Sequence, residues 1–541
     1  MGMSAWTVAF DLEATPRDGA PSGPTFLRIA RAISEDIRRG RLRAGDALPG
    51  SRTLAISLSV HRNTVLAAYR ELVAEGWITS EEAHGTFVSK QIPDVAPRRF
   101  SAQAAVAREI APRVGFDLGP PRVAPLPPTA PLPVPSSRSL DGPLSLGGGI
   151  PDVRLVPAAE LARAMRRVLK RRAVEVLSYG DPAGPPSLRS ALAGMVAATR
   201  GVAARAENVL VTRGSQMGID LTARALISPG DVVAVEALGY RPAWEALRAA
   251  GARLVPLPVD AQGIDVEALE QLCVEQRVRG VYVTPHHQFP TTVTLAPARR
   301  LRLLEIARER RLFVLEDDYD HEFHYEGRPV LPLASADVHG VVVYLGTLSK
   351  VLAPGMRIGF VVAPEPLATR LAAIRRIVDR QGDHLLENAV ADLLEEGEIQ
   401  RHIRRAKRIY AERRARLASL LESRFRSVLS FKLPSGGTAI WTRVAGDVSA
   451  DAWAAQAEKV GLVLQPARQF AYDGKSRQYL RIGFAQHEER EVREAVRRME
   501  VALAAATATA SASVLASIGP APSGRSPARS GRASRAPRSS P

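Results

Sequence analysis

Lys350 is the side chain whose surroundings say most about chemistry. It follows Ser349, just past the apolar run Val341–Leu345, and Arg357 stands seven residues on, within GTLSKVLAPGMRIGF (Gly346–Phe360). An amine just past a buried strand can form a Schiff base with an aldehyde, and a guanidinium beside it can hold a phosphate. Pyridoxal 5'-phosphate (PLP) asks for both tasks. Upstream, Arg311–Phe323 reads RLFVLEDDYDHEF. Leu312–Leu315 has the pattern of a short buried parallel strand, expected to end in Glu316, Asp317, Asp318, Tyr319 and Asp320. Ligands of open α/β sheets sit beyond the carboxyl ends of strands, where these acids fall. A carboxylate keeps the pyridine nitrogen of PLP protonated and its ring an electron sink, the role expected of Asp317. Tyr319 is placed to donate to the ring's phenolic oxygen. A charge run of this kind is usually a solvated loop, but its direct succession from an apolar strand favours a site.

The elements that must position these groups follow in order. Asn208–Thr212 is expected as a strand, and Arg213-Gly214-Ser215-Gln216 opens a helical stretch to Ile227. Unpaired N–H groups at such a helix start can cradle a phosphate, with Ser215 and Gln216 adding backbone and side-chain donors. Asp231–Glu236 is a further strand. Tyr240 beyond it suits stacking on the pyridine ring, or equally a packed core. Val281–Thr284 leads into Pro285-His286-His287-Gln288-Phe289-Pro290. The paired histidines invite a metal, but neither the chain's one cysteine nor a helical histidine spacing completes a ligand set, so no metal is expected.

Together these pieces resemble the fold-type I aminotransferases, over roughly Leu144 to Leu503. The resemblance implies PLP as cofactor, Thr347 and Arg357 as phosphate ligands, and Tyr179 of Tyr179-Gly-Asp-Pro-Ala-Gly184 reaching the phosphate of a neighbouring subunit. It further implies that Arg481, in Tyr479–Phe484, clamps a carboxylate, a bidentate task suited to a planar guanidinium. Phe289 departs from the family, which usually has an asparagine there that hydrogen-bonds the cofactor ring; this argues against ordinary transamination, with His287 and Gln288 as the neighbours available to compensate. Thr292 stands where a glycine is common, and Ala237-Leu238 where a proline-containing turn is usual.

The amino-terminal region carries a different pattern. Phe26–Arg39 sets Ala30, Ile33 and Ile37 on one helical face, ending at Gly40. After the turn-rich Leu42–Pro49, Ser51 is placed to cap a short helix carrying Leu54, Ala55 and Leu58. A third helix from about Arg62 to Glu75 has Val65, Tyr69, Leu72 and Val73 as its expected buried stripe, stopped by Gly76. Trp77–Thr79 and Thr86–Val88 read as a hairpin around His84-Gly85. Three helices and a hairpin make a winged helix-turn-helix over 25–90, whose third helix enters the major groove. Arg62, Asn63 and Thr64 then face bases, Arg52 reaches phosphate or base, and His84 and Thr86 lie in the wing. Ten Lys/Arg against seven Asp/Glu in this segment leave a small protein-binding domain open on charge alone.

LRAGDALPGSRTLAISLSVHRNTVLAAYRELVAEGW is similar to the signature of the GntR-type regulators, with Gly50 in place of a common serine. The whole, from about Phe26 to Leu503, resembles the MocR subfamily. That implies a multidomain chain, an N-terminal winged helix-turn-helix plus an α/β fold-type I aminotransferase-like domain. It also implies a head-to-tail homodimer, a DNA operator as partner, and an amino compound or PLP itself as effector. A catalytically active aminotransferase with an attached DNA reader is the alternative.

Composition sets bounds. The chain has 541 residues and a net charge of +17, which favours a polyanionic partner. Cys273 is alone, so no internal disulfide forms, as in a reducing cytoplasm. Residues 1–24 read as an irregular leader without a signal-peptide pattern. Residues 91–143 form a Pro-rich linker, extended at about 3 Å per residue where polyproline-like. Residues 144–503 make the large domain, and 504–541 a disordered basic tail. The stretch Val501–Gly524 is too polar to span a membrane, so no membrane partner is expected.

Overall fold

The computed structural model describes residues 24–81, 85–90, 142–327, 329–446 and 448–517. His84, the leader and nearly all of the Pro-rich linker lie outside these residues. Two compact units divide at Leu118/Gly119.

The first unit has α1 (Thr25–Arg38), α2 (Ser51–Ser57) and α3 (Arg62–Ala74), with a hairpin of Ile78–Glu81 and Gly85–Val88 that Ala47–Leu48 joins as a third strand. Ile29, Ile33, Leu54, Val65, Ala68, Leu72 and Trp77 build its core. The stripe of α3 differs from expectation: Val73 is exposed and Ala68 is buried instead. Positions 65, 68, 69 and 72 follow a 3–4 spacing, and 73 falls outside that stripe. Ser51 does not cap α2 either. Gly50 holds the cap position, and the Ser51 hydroxyl accepts from Arg62 Nε at 3.2 Å. Tyr69 ties the unit together by donating to the Pro49 carbonyl at 2.6 Å.

The second unit is built on a seven-stranded sheet. Its spatial order is Val209–Thr212, Gly359–Val362, Val342–Thr347, Phe313–Asp318, Val278–Val283, Val232–Glu236 and Arg253–Leu257. Only Gly359–Val362 runs antiparallel to its neighbours. The parallel strands are continuous apolar runs because helices cover both faces. A smaller four-stranded antiparallel sheet pairs Ala439–Val444 with Tyr479–Gly483, backed by the long helix Glu398–Phe425 and the last helix. That last helix runs Glu489–Ser517, past position 503. No helix among the described residues is long and apolar enough to cross a membrane.

Candidate functional site

The acids after Leu315 do not lie beyond the strand. The strand runs on through Asp318, and Glu316, Asp317 and Asp318 are all buried. Strand alternation separates them, since neighbouring side chains point to opposite faces. Asp318 accepts from Tyr344 at 2.7 Å and Glu316 accepts the N–H groups of Leu333 and Ala334, whereas Asp317 accepts from Tyr282 at 2.8 Å through Oδ2. Asp317 Oδ1 is buried with no partner. Burial raises the Asp317 carboxyl to about 6. The Tyr282 hydrogen bond and Lys350 pull it down, and Asp318 pushes it up. An orphaned carboxylate oxygen of this kind suits a protonated ring nitrogen.

This shift has a sign that can be tested on cofactor-free protein. Below the ordinary carboxylate range Asp317 is protonated in folded and unfolded chains alike. Between there and about 6 only the unfolded chain gives up its proton, so stability falls as pH rises. A carboxyl held near 6 in the folded chain costs about 3 kcal/mol at neutral pH. Asp317→Asn is therefore expected to raise the melting temperature of apo-protein at pH 7 and to change it little at pH 4. Equal changes at both pH values would refute the assignment.

Lys350 follows strand Val342–Thr347 and is partly buried. Burial lowers its amine to about 8, with Arg481 adding to the fall and Asp317 and Asp320 opposing it. A fraction of neutral amine near neutral pH is what attack on an aldehyde requires. Thr347 is buried, and its Oγ1 accepts from the Ser349 N–H at 3.1 Å. Ser349 Oγ, not anticipated from the sequence, is buried without a partner one residue from the amine. Arg357 adopts φ 53° and donates to the Arg213 carbonyl at 2.8 Å. Its guanidinium lies so close to Gly214 that an added Cβ would sit 3.0 Å from Nη2. Gly214 (φ 76°) opens the helix Ser215–Leu226, so the first N–H groups of that helix, those of Ser215 and Gln216, adjoin the guanidinium. The Gln216 Nε2 donates to the Pro242 carbonyl at 2.9 Å, while its Oε1 is buried without a partner.

Arg481 is fully buried, and its guanidinium nitrogens make no close hydrogen bond. Tyr319 and Asp320 lie beside it, and it sits over the Phe289 ring at 4.7 Å. Gly148 makes room for it, since any Cβ there would overlap the guanidinium, and a Cβ on Gly149 would lie 3.8 Å from both Arg481 Nη1 and Lys350 Nζ. A buried, unmatched guanidinium is costly unless an anion meets it. The Phe289 ring packs edge-on against Tyr240 (5.7 Å), Tyr319 (6.1 Å) and Phe470 (5.3 Å). Phe289 thus forms the wall that carries Arg481.

His287 and Gln288, the neighbours available for the absent asparagine's task, both have protein partners. Gln288 donates to the Leu238 and Phe289 carbonyls, at 2.7 and 2.6 Å, and accepts from Thr291. His287 Nδ1 pairs with Asp320 Oδ1 at 2.8 Å. Tyr319 donates to the His287 carbonyl at 3.0 Å, which fixes the tyrosine at the end of this loop. Thr292 sits at φ 63°, a left-handed conformation that explains why a glycine is common there. Tyr179 stands apart from Lys350's surroundings, 81% exposed beneath the Arg380 guanidinium at 4.8 Å.

In the first unit Arg52, Arg62 and Asn63 are exposed, and Thr64 and Thr86 are half-buried. His61 caps α3 by accepting from the Asn63 N–H at 3.2 Å, and Ser80 and Thr86 hydroxyls approach to 3.4 Å across the hairpin.

Two families match this chain. Residues 143–499 match aminotransferase class I and II, and residues 25–88 match the bacterial regulatory proteins of the gntR family. The crystal structure of LysN, an alpha-aminoadipate aminotransferase from Thermus thermophilus complexed with N-(5'-phosphopyridoxyl)-L-leucine, is similar with a TM-score of 0.63. It is 30% identical and covers 68% of this chain and 94% of its own. The large unit therefore has the fold of PLP-dependent aminotransferases, and the chain couples that fold to a GntR helix-turn-helix domain. The same combination extends across relatives. The probable rhizopine catabolism regulatory protein MocR of Rhizobium meliloti is 30% identical over 89% of this chain and 94% of its own. The HTH-type transcriptional regulator TauR of Rhodobacter capsulatus is 30% identical over 90% and 98%. The chain belongs to the MocR-type subfamily of GntR regulators, DNA-binding transcriptional regulators that carry an aminotransferase-fold domain.

Proposed function

We propose that the large domain binds PLP at Lys350 and senses an amino compound, or PLP itself, to control operator binding. The observation that carries this reading is the orphaned Arg481 guanidinium facing the same small space as Lys350. Bound there, PLP supplies an aldehyde that amines can capture and a ring that withdraws electrons. Asp317 Oδ1 holds the ring nitrogen's proton. Arg357, Thr347, Ser215 and the first N–H groups of helix Ser215–Leu226 hold the phosphate, and Ser349 Oγ is a further donor. Tyr240 and Phe289 wall the ring. Arg481 receives a carboxylate, which selects amino acids over simple amines. Tyr179, with Leu177 and Val174 also strongly exposed at the same helix end, supports a head-to-tail homodimer in which Tyr179 completes the partner's phosphate site. The protein acts in the cytoplasm, in keeping with its single free cysteine.

For the reader, Arg62 and Asn63 contact bases from the start of α3, supported by Thr64, and Arg52 contacts phosphate, with His84 and Thr86 in the wing. Arg62→Ala is expected to cost about 1–3 kcal/mol on the cognate operator and to relax base preference at one position. Arg52→Ala should weaken cognate and scrambled DNA alike and flatten the salt dependence. Operator titrations at several salt concentrations check both. Undiminished discrimination by Arg62→Ala would count against the placement of α3.

The functional test is paired. PLP absorbance and operator binding are followed on one sample while amino acids and amines are screened. A spectral response accompanied by altered operator affinity supports sensing, because a ligand shifts a conformational equilibrium only through unequal affinity for its states. Sustained turnover with a keto acid at roughly 1 per second or more, without effect on operator binding, would replace the regulator with an enzyme.

A further inference from the structure

Four histidines converge behind the effector pocket. His286 and His287 leave the end of strand Val278–Val283, while His321 and His324 follow strand Phe313–Asp318. These strands are parallel neighbours, Val283 opposite Glu316, so their outgoing loops emerge side by side. All four rings are buried, at 2–6% exposure. One ligand atom from each of His286, His287 and His324 lies within 4.8 Å of the others. Both ring nitrogens of His286 and Nε2 of His287 have no hydrogen-bond partner, and the His324 ring makes no close one. Leaving that many buried polar atoms unmatched is costly, and native interiors rarely do it.

We infer that His286, His287 and His324 bind a divalent ion of the zinc class, with Asp320 orienting His287. The donor set decides the ion: neutral imidazoles suit Zn(II), Co(II), Ni(II) or Cu(II), while magnesium and calcium require oxygen. Zinc–imidazole bonds are ~2.1 Å, so ligand nitrogens of a tetrahedral site lie about 3.4 Å apart, and ring rotations of about an ångström at the nitrogens bring this trio to one ion. The pair His287 Nδ1–Asp320 Oδ1, at 2.8 Å, leaves Nε2 facing the ion, as an outer carboxylate does for a ligating histidine. A Cβ on Gly436 would fall against His287 Nε2 and Cε1, so this glycine keeps that edge of the ring clear.

His286, Asp318 and His321 form a second possible trio around the same ring. It is less free, because Asp318 already accepts from Tyr344 at 2.7 Å and lies 3.2 Å from His321 Nδ1. Local sequence spacing does not disclose this set, because His324 comes from a neighbouring strand's loop. An ion here ties the loop that ends in Phe289 to the loop that begins with Tyr319, and both residues line the effector pocket.

The test uses the full-length chain and Co(II) and Zn(II) salts alone. Co(II) is expected to bind one per chain with the visible d–d band of a tetrahedral nitrogen-rich site, and Zn(II) is expected to displace it. His286→Gln and His324→Gln should abolish the band, and Asp320→Asn should weaken affinity about 10–100-fold. His321→Gln and the exposed-site control His339→Gln should retain it. Circular dichroism and PLP absorbance report whether each variant folds. Should the ligand variants misfold, the parent chain still decides. A melting temperature that Zn(II) raises and a chelator reverses supports the site, and no band and no shift overturns it. A band kept in His324→Gln but lost in His321→Gln also overturns this ligand set, in favour of the Asp318 trio.

Discussion

Full-length Lys350→Ala protein, loaded with PLP and treated with borohydride, is expected to carry no covalent cofactor, whereas the parent is labelled at Lys350 alone. The effect is all or nothing because the attachment requires one amine in one place. Lys90, Lys170, Lys432, Lys459 and Lys475 are exposed. Lys350 alone sits between Arg481 and Asp317, and burial lowers its amine to about 8, so part of it is unprotonated at neutral pH. Peptide mapping after reduction makes the check. Label on another lysine in the variant at the parent's level would sink the assignment. Loss of label together with loss of folded structure is told apart by circular dichroism, and Lys350→Arg, which keeps the charge but offers no condensing amine, should also lose the label while folding.

The parts of this site legible in the sequence are those set by local pattern. Leu312–Leu315 announces a buried strand because its residues are apolar on both faces, and the acids after it are visible as acids. The alternation that aims Asp317 at the pocket and Glu316 and Asp318 away depends on the strand continuing to Asp318, which a run of three carboxylates disguises. Gly214 before Ser215 is a readable helix start, but the turn of the Gln216 side chain to Pro242 is a tertiary choice. Tyr282 as the partner of Asp317 requires knowing that the two strands are neighbours, 35 residues apart in sequence. The histidine cluster fails to show for the same reason: 286–287 and 321–324 meet only because their strands pair. In the reader, Val73 looks like the next apolar position of α3, yet the helix turns it outward. Phe289 is visible as a departure, but its purpose as the wall beneath Arg481 emerges only from packing.

That packing sets the second large effect. Arg481→Gln is expected to weaken amino acids as effectors by about 30-fold to several thousand-fold, since removing one member of a buried charge pair costs about 2–5 kcal/mol. The matching amines without a carboxylate should bind parent and variant within about tenfold, and PLP retention should be unchanged because Lys350 and Asp317 remain. Spectral titrations of the PLP-loaded protein with an amino acid and its decarboxylated amine separate the two cases. Arg481→Met carries the complementary expectation. The guanidinium is fully buried without a close hydrogen bond, and Gly148 leaves no slack around it, so in effector-free protein its charge is met only at longer range by Tyr319 and Asp320. Replacing a buried charge by an apolar side chain of similar volume is often neutral or stabilising by about 1–4 kcal/mol. Arg481→Met should therefore melt no lower than the parent without effector while losing the stabilisation that amino acids confer on the parent. Phe289→Leu keeps the charge but removes the ring beneath it, and should weaken amino acids by roughly 0.5–2 kcal/mol, the range of a cation–π contact. If Arg481→Gln weakens amines and amino acids equally, or Arg481→Met destabilises the effector-free protein, Arg481 is a structural cation and the carboxylate is held elsewhere. If the losses divide by the carboxylate, the same unmatched charge that burdens the empty pocket is what makes its occupation by an amino acid favourable.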